Sequence, residues 1–140
     1  MSRWSEERAA PHVVPIIALL RKFTDRWKDE ETLLTILQSI DTGARELWVF
    51  FDDGKPSAVM LGRFRDTPAG KKIYEICLFA GELRMSEWKL LGHIEKYAAK
   101  RGAVEMESLA RMGFRKILAP HGYKPVLETL RKKLNEDSHG

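Results

Sequence analysis

The stretch CLFAGELRMSEWKLLGHIEKYAAKRG, Cys77 to Gly102, is where a strand hands over to a helix. Its start closes the apolar run IYEICLFA. There Ile73, Glu75 and Cys77 are expected on one face and Tyr74, Ile76 and Leu78 on the other, because side chains alternate along a strand. Its second half carries Leu90, Leu91, Ile94, Tyr97 and Ala98 at three- and four-residue steps, which predicts a helix over roughly Ser86 to Lys100. Ser86 is a candidate cap, and Gly102 stops the helix. Between the two lies GELRMS, Gly81 to Ser86, a connection with a single glycine.

Working toward the N-terminus, two strands precede this stretch. ELWVFF runs into DDGK, with Asp53-Gly54 at the centre of a hairpin turn, and PSAVMLGRF returns. RDTPAGKK makes the next turn. Before the strands come two amphipathic helices. The first, PIIALLRKFTDRW, has Pro15 in its opening turn and Ile16, Leu19, Leu20, Phe23 and Trp27 on one face. The second, in DEETLLTILQSID, has Asp29 as a candidate cap and Leu33, Leu34, Ile36, Leu37 and Ile40 as its stripe. Residues 1–11 read as a polar arm.

Toward the C-terminus, AVEMES is a short strand. LARMGFRKILAPHG starts as a helix that ends before Pro120, and YKPVLETLRKKL is a last strand, with a helix as the rival reading. The order helix, helix, three strands, helix, strand, helix, strand defines an α+β (α/β three-layer) domain over residues 12–134. Its sheet is mixed and mostly antiparallel, flanked by helices, and residues 135–140 are a tail.

Composition narrows the function classes. With 44% hydrophobic residues the chain can bury a core, and no apolar run approaches the ~20 residues of a membrane span. Cys77 is the only cysteine, which excludes an intrachain disulfide and fits an intracellular setting. The net charge of +4 arises from 24 basic residues interleaved with 20 acidic ones, which is the texture of a solvated surface rather than a nucleic-acid stripe. The sequence shows no metal-ligand cluster, no paired carboxylates at a persuasive spacing and no Ser/His/Asp arrangement.

The layout resembles the GNAT family of N-acetyltransferases. LLGHIEKYAAKRGA looks like the family's central helix, and RKILAPHGYKPVLETLRKKL looks like its closing segment. The resemblance implies that acetyl-CoA, if bound, is held by backbone N–H groups at the start of the central helix, reached through a glycine-rich turn. That turn falls on GELRMS, so Gly81, Arg84, Met85 and Ser86 are the candidate cofactor-binding residues. Leu83 and Met85 stand where the family places glycines. The resemblance also implies a tyrosine general acid four residues before the Gly-aromatic pair, and Leu118 occupies that place. Glu75 is the candidate base of an active enzyme, and His93, His121 and Tyr123 are the other titratable candidates. Cys77 reads as a small buried hydrophobe.

ARMGFRKILAPHGYKPVLETLRKKL further resembles the tails of small GNAT-like proteins of tailed bacteriophages, through Arg111, Gly113, Phe114, Leu118, Gly122, Tyr123, Lys133 and Leu134. The eroded turn, the missing tyrosine and this tail together lead to the expectation of a non-catalytic GNAT-like protein of a phage virion or head–tail assembly. Such a protein would act through contacts with other phage structural proteins, without a cofactor, membrane or nucleic-acid partner, in the virion or host cytoplasm. Trp4, Trp27, Trp48 and Trp88 are candidate interface anchors, with core packing as their ordinary use. The alternative is an active acetyl-CoA-dependent N-acetyltransferase with a divergent site.

Overall fold

The computed structural model describes residues 12–26, 31–82, 89–108, 118–127 and 129–134. The chain divides into two compact units, Met1–Leu109 and Ala110–Gly140, and each is described by itself. In the first unit the order is helix α1 (Val13–Arg26), helix α2 (Leu33–Asp41), strands β1 (Glu46–Asp52), β2 (Lys55–Asp66) and β3 (Lys72–Gly81), helix α3 (Leu90–Lys100) and strand β4 (Glu105–Ser108). The fold is the expected α+β arrangement, with a four-stranded mixed sheet in the order β1-β2-β3-β4. The β1–β2 and β2–β3 pairs are antiparallel, and β3–β4 is parallel.

The first helices form for the reasons their sequences give. Ile16, Leu19, Leu20 and Phe23 are the buried stripe of α1. Helix α2 starts at Thr32, whose side chain accepts from the Thr35 backbone N–H while Thr35 returns a bond to the Thr32 backbone. This reciprocal box satisfies two otherwise orphaned amides. The candidate cap Asp29 and the apolar Trp27 lie outside the described residues. Ile36 and Ile40 are buried, Leu33 and Leu37 pack alongside, and Leu34 points outward at 64% exposure. The hairpin turn takes Asp53 and Gly54 through positive φ (53° and 77°), the backbone that suits a two-residue connection between twisted strands.

Helices α1 and α2 cover one face of the sheet with an aliphatic cluster that includes Leu47, Val59, Leu61, Leu78 and Ala80. Helix α3 covers the other. It buries Leu91, Ile94 and Ala98, with Leu90 and Tyr97 half-buried. The predicted helix extended back to Ser86, which lies outside the described residues; α3 is described from Leu90, with Lys89 at its cap position and no side-chain capping bond.

The strict alternation expected of β3 breaks at Cys77. Pairing with β2 slips between Leu61↔Leu78 and Gly62↔Ile76, so Cys77 is an extra residue in β3, a β-bulge. Beyond it Cys77 and Leu78, expected on opposite faces, both join the α1/α2 cluster.

In the second unit the described residues hold one short element, a 3₁₀ turn over Ala119–His121, closed by Gly122 at φ 89°. Pro120 lies inside this turn, since a proline needs no backbone N–H in a first helical turn; Leu118 before it is helical, and the rest of the helix expected there, residues 109–117, lies outside the described residues. The expected last strand is not formed. The described residues between 123 and 134 are neither strand nor helix, and Val126, Leu127, Leu130 and Leu134 are exposed. Their apolar residues do not alternate, so they lack the pattern that pins a strand to a sheet.

Candidate functional site

The two halves of β3 have different surroundings. From Ile73 to Ile76 it lies between β2 and β4, in register with Glu105 to Ser108. From Cys77 to Gly81 it continues along β2 alone, with no β4 partner among the described residues. The bulge at Cys77 marks this change, which falls opposite the last described residues of β4.

Glu75, the candidate base, sits just before that point and is 6% exposed. Its carboxylate is fully engaged. Arg63 Nε donates to Oε1 at 2.9 Å, Arg65 Nε lies 3.4 Å from Oε2, and the Cys77 Sγ is 3.4 Å from Oε1. Arg65 also binds Glu107 with two nitrogens, at 3.2 and 2.6 Å. Arg63, Glu75 and Glu107 are cross-strand neighbours in register, so this is a charge ladder across β2, β3 and β4 on the face of α1 and α2. A carboxylate held between two guanidinium groups ties β2 to β3. Burial first, and then the Glu75 charge, pushes the Cys77 thiol up to about 12, so it stays protonated and is no nucleophile.

The opposite face carries a polar cluster set among aromatics. Tyr97 of α3 donates to Glu46 Oε2 of β1, and Trp48 Nε1 donates to Tyr74 Oη at 2.8 Å. The Tyr97 ring lies 5.0 Å from Trp48 and about 6 Å from Tyr74 and Phe64, with the Arg101 guanidinium over its outer face at 3.9 Å. Burial raises the pKa of Tyr74, although the Trp48 N–H pulls the other way. Gly62 makes room for this hydroxyl, since a Cβ there would overlap the Tyr74 ring and its Oη. Trp48 is therefore half-buried within this aromatic cluster; Trp4, Trp27 and Trp88 lie outside the described residues.

Gly81 ends β3 at φ 105°, and a Cβ on it would overlap the Ser57 carbonyl oxygen and lie 2.7 Å from Ala58 Cα. The glycine is required by its approach to β2, independently of any ligand. Arg84, Met85 and Ser86 lie outside the described residues, as does Leu83. His93 is exposed on α3. His121, exposed, and Tyr123, half-buried, belong to the second unit with the buried Leu118. Among the described residues no three His, Cys, Asp or Glu side chains gather as a metal site, and no helix is long and apolar enough to cross a membrane.

One residue escaped the sequence reading. Ser108 closes the β3–β4 pairing opposite Ile76, and its Oγ is enclosed without a hydrogen-bond partner among the described residues. The available signal was the alternation in EMES, which puts Met106 and Ser108 on one face and the two glutamates on the other.

A mixed sheet with two helices on one face, a third on the other and a parallel last pair among the described strands is a GNAT-like fold. Solved acetyltransferases share it. A ribosomal-protein-alanine N-acetyltransferase from Brucella melitensis biovar Abortus 2308 aligns with a TM-score of 0.68 at 14% identity, over 91% of this chain and 94% of that one. A probable acetyltransferase aligns at 0.67 and 13% identity, over 89% and 92%. A predicted acetyltransferase from Clostridium acetobutylicum, solved with acetyl-CoA, aligns at 0.59 and 15% identity, over 89% and 91%. At these identities the likeness is one of fold. No protein-family model matches the sequence, and no curated protein matches it.

Proposed function

We propose that this protein binds an acyl-coenzyme A thioester along the second half of β3 and transfers the acyl group to an amine. The observation that supports this reading is the fold shared with solved acetyltransferases, one of them solved with acetyl-CoA; the last described rung of the β3–β4 ladder is Ile76 opposite Ser108. The ligand supplies an activated thioester. The acceptor nitrogen bonds to the acyl carbon, the carbon–sulfur bond breaks, and the thiolate takes up a proton as the amine loses one. The chain's part is orientation of the two reactants and exclusion of water. Glu75 does not serve as base, because its oxygens are committed to Arg63, Arg65 and Cys77. Deprotonation therefore passes to solvent or to the acceptor's own free-base fraction.

A second reading follows from that commitment. With Glu75 tied up and Leu118 in the place of the family's acid, the fold is compatible with a non-catalytic role in protein contacts, of the kind expected for a phage structural component. Calorimetric titration with acetyl-CoA separates the two. Saturable micromolar binding, followed by thiol release in the presence of amines, supports the acyltransferase. Absence of binding at millimolar ligand supports the scaffold.

A further inference from the structure

We propose that the second unit binds an anionic lipid surface through residues 124–134, which fold there as a short amphipathic helix; the inference does not rest on the acyl-CoA reading above. The charge of the chain is unevenly spread. Residues 110–140 hold seven Lys and Arg against three Asp and Glu, so the second unit carries the whole net charge of +4. The first unit, with 17 of each sign, is balanced. The second unit also displays its aliphatic side chains. Val126, Leu127, Leu130 and Leu134 are exposed by 79%, 86%, 85% and 72%, and the described residues around them form neither strand nor helix.

The spacing of these four residues is helical. At about 3.6 residues per turn they fall within an arc of about 100°. Lys133 and Arg131 flank that arc on either side, and the position of Glu128 lies on the far side of the wheel. Pro125 suits the first turn of such a helix, where its missing N–H leaves no bond unmade. An isolated helix of about ten residues is marginal in water, so this one needs a surface to form on. A lipid–water boundary takes up the aliphatic row while the flanking cations reach headgroup phosphates. Each Lys or Arg held near an anionic surface adds about 1 kcal/mol of attraction. Lipid is favoured over a protein groove because the row is all Val and Leu, whereas protein contacts are anchored mostly by Trp, Tyr and Arg. The expectation of no membrane partner came with the lack of a spanning run, which a helix lying on the surface does not need.

The test sediments the full chain with vesicles of phosphatidylcholine alone and of phosphatidylcholine with about 30% phosphatidylserine, at about 0.1 M salt. Binding to the anionic vesicles is expected to be at least about tenfold tighter than to the neutral ones, with a gain in helical circular dichroism. Leu130→Gln, near the middle of the arc, should weaken that binding about tenfold or more, and Lys133→Gln about fivefold. Both positions are exposed, so both variants should melt with the parent. Lack of binding to the anionic vesicles overturns the proposal and leaves the aliphatic row to a protein partner. Binding that survives Leu130→Gln unchanged, or that brings no gain in helix, overturns it as well, since charge alone would then suffice. Equal affinity for a random-sequence DNA duplex would mark the unit as a plain polycation. Self-association without vesicles, lost in Leu130→Gln, would make the row an interface between copies of the chain, and either result overturns the lipid assignment.

Discussion

The first half of β3 is tied by charge and the second half by packing. Ile73 to Ile76 has a strand on each side, and a ladder of four charged side chains crosses it from Arg63 to Glu107. Cys77 to Gly81 pairs with β2, held by Leu78 and Ala80 in the aliphatic cluster and by the close approach of Gly81 to Ser57. Strong polar ties lie before the bulge, and apolar packing and a close backbone approach lie after it. The comparison shows why the most reactive-looking residue of the strand, Glu75, is also the one most tightly bound to its neighbours.

The sharpest way to break this contrast is at Gly81. Gly81→Ala forces a Cβ against the Ser57 carbonyl oxygen at a φ that L-residues rarely adopt. The expected loss is about 3 kcal/mol in urea-induced unfolding. A loss below about 1 kcal/mol would show that the end of β3 is not held against β2, and the contrast between its halves would be one of a tied strand and a frayed one.

Glu75→Gln probes the charge-tied half. It removes the charge between two guanidinium groups. Because Arg63 is half exposed, the expected cost is about 2 kcal/mol rather than the larger value for a fully buried pair. If acyl transfer is detected, kcat at fixed pH should stay within about threefold, since no proton passes through this carboxylate. A loss of activity of about 100-fold or more with stability intact would restore Glu75 as the base.

Tyr74→Phe tests the face under α3 and has a smaller expected effect. Trp48 Nε1 loses its acceptor, at an expected cost of about 1–2 kcal/mol measured by thermal unfolding. An unchanged melting temperature would mean that the hydroxyl contributes nothing to the cluster.

Much of the fold was legible because burial imposes periods on the sequence. The α1 stripe, the Asp53-Gly54 turn and the three antiparallel strands each follow from local pattern. The bulge at Cys77 was not legible, because an extra residue in a continuous apolar run leaves the composition unchanged. The ion-pair setting of Glu75 was not legible for a related reason. Its partners Arg63, Arg65 and Glu107 are 10 to 32 residues away and meet it only through strand register. The absence of a strand among the described residues of 123–134 shows the limit from the other side. A strand was expected there, although Val126, Leu127 and Leu130 do not alternate. Gly81 was picked out for ligand chemistry, yet the contact that requires a glycine is with Ser57 and Ala58, residues more than twenty positions earlier.

The smallest effect tests the junction of the two halves. In the unfolded chain the Cys77 thiol ionises near ~8.5, whereas burial beside Glu75 pushes it up to about 12 in the folded protein. Between those values the folded state keeps a proton that the unfolded state has lost. This contribution is therefore fully present below about pH 8.5 and is lost as pH rises toward 12. Raising the pH from about 7.5 to about 9.2 should cost the parent protein about 1 kcal/mol more than it costs Cys77→Ala, with other titrating groups common to both. The difference between the two pH responses, rather than either stability alone, isolates the thiol from the packing change that the substitution introduces. Parallel pH responses would place the thiol in contact with water. The bulge would then open to solvent, and the charge-tied half of β3 would end on the Glu75 side of Cys77 instead of beyond it.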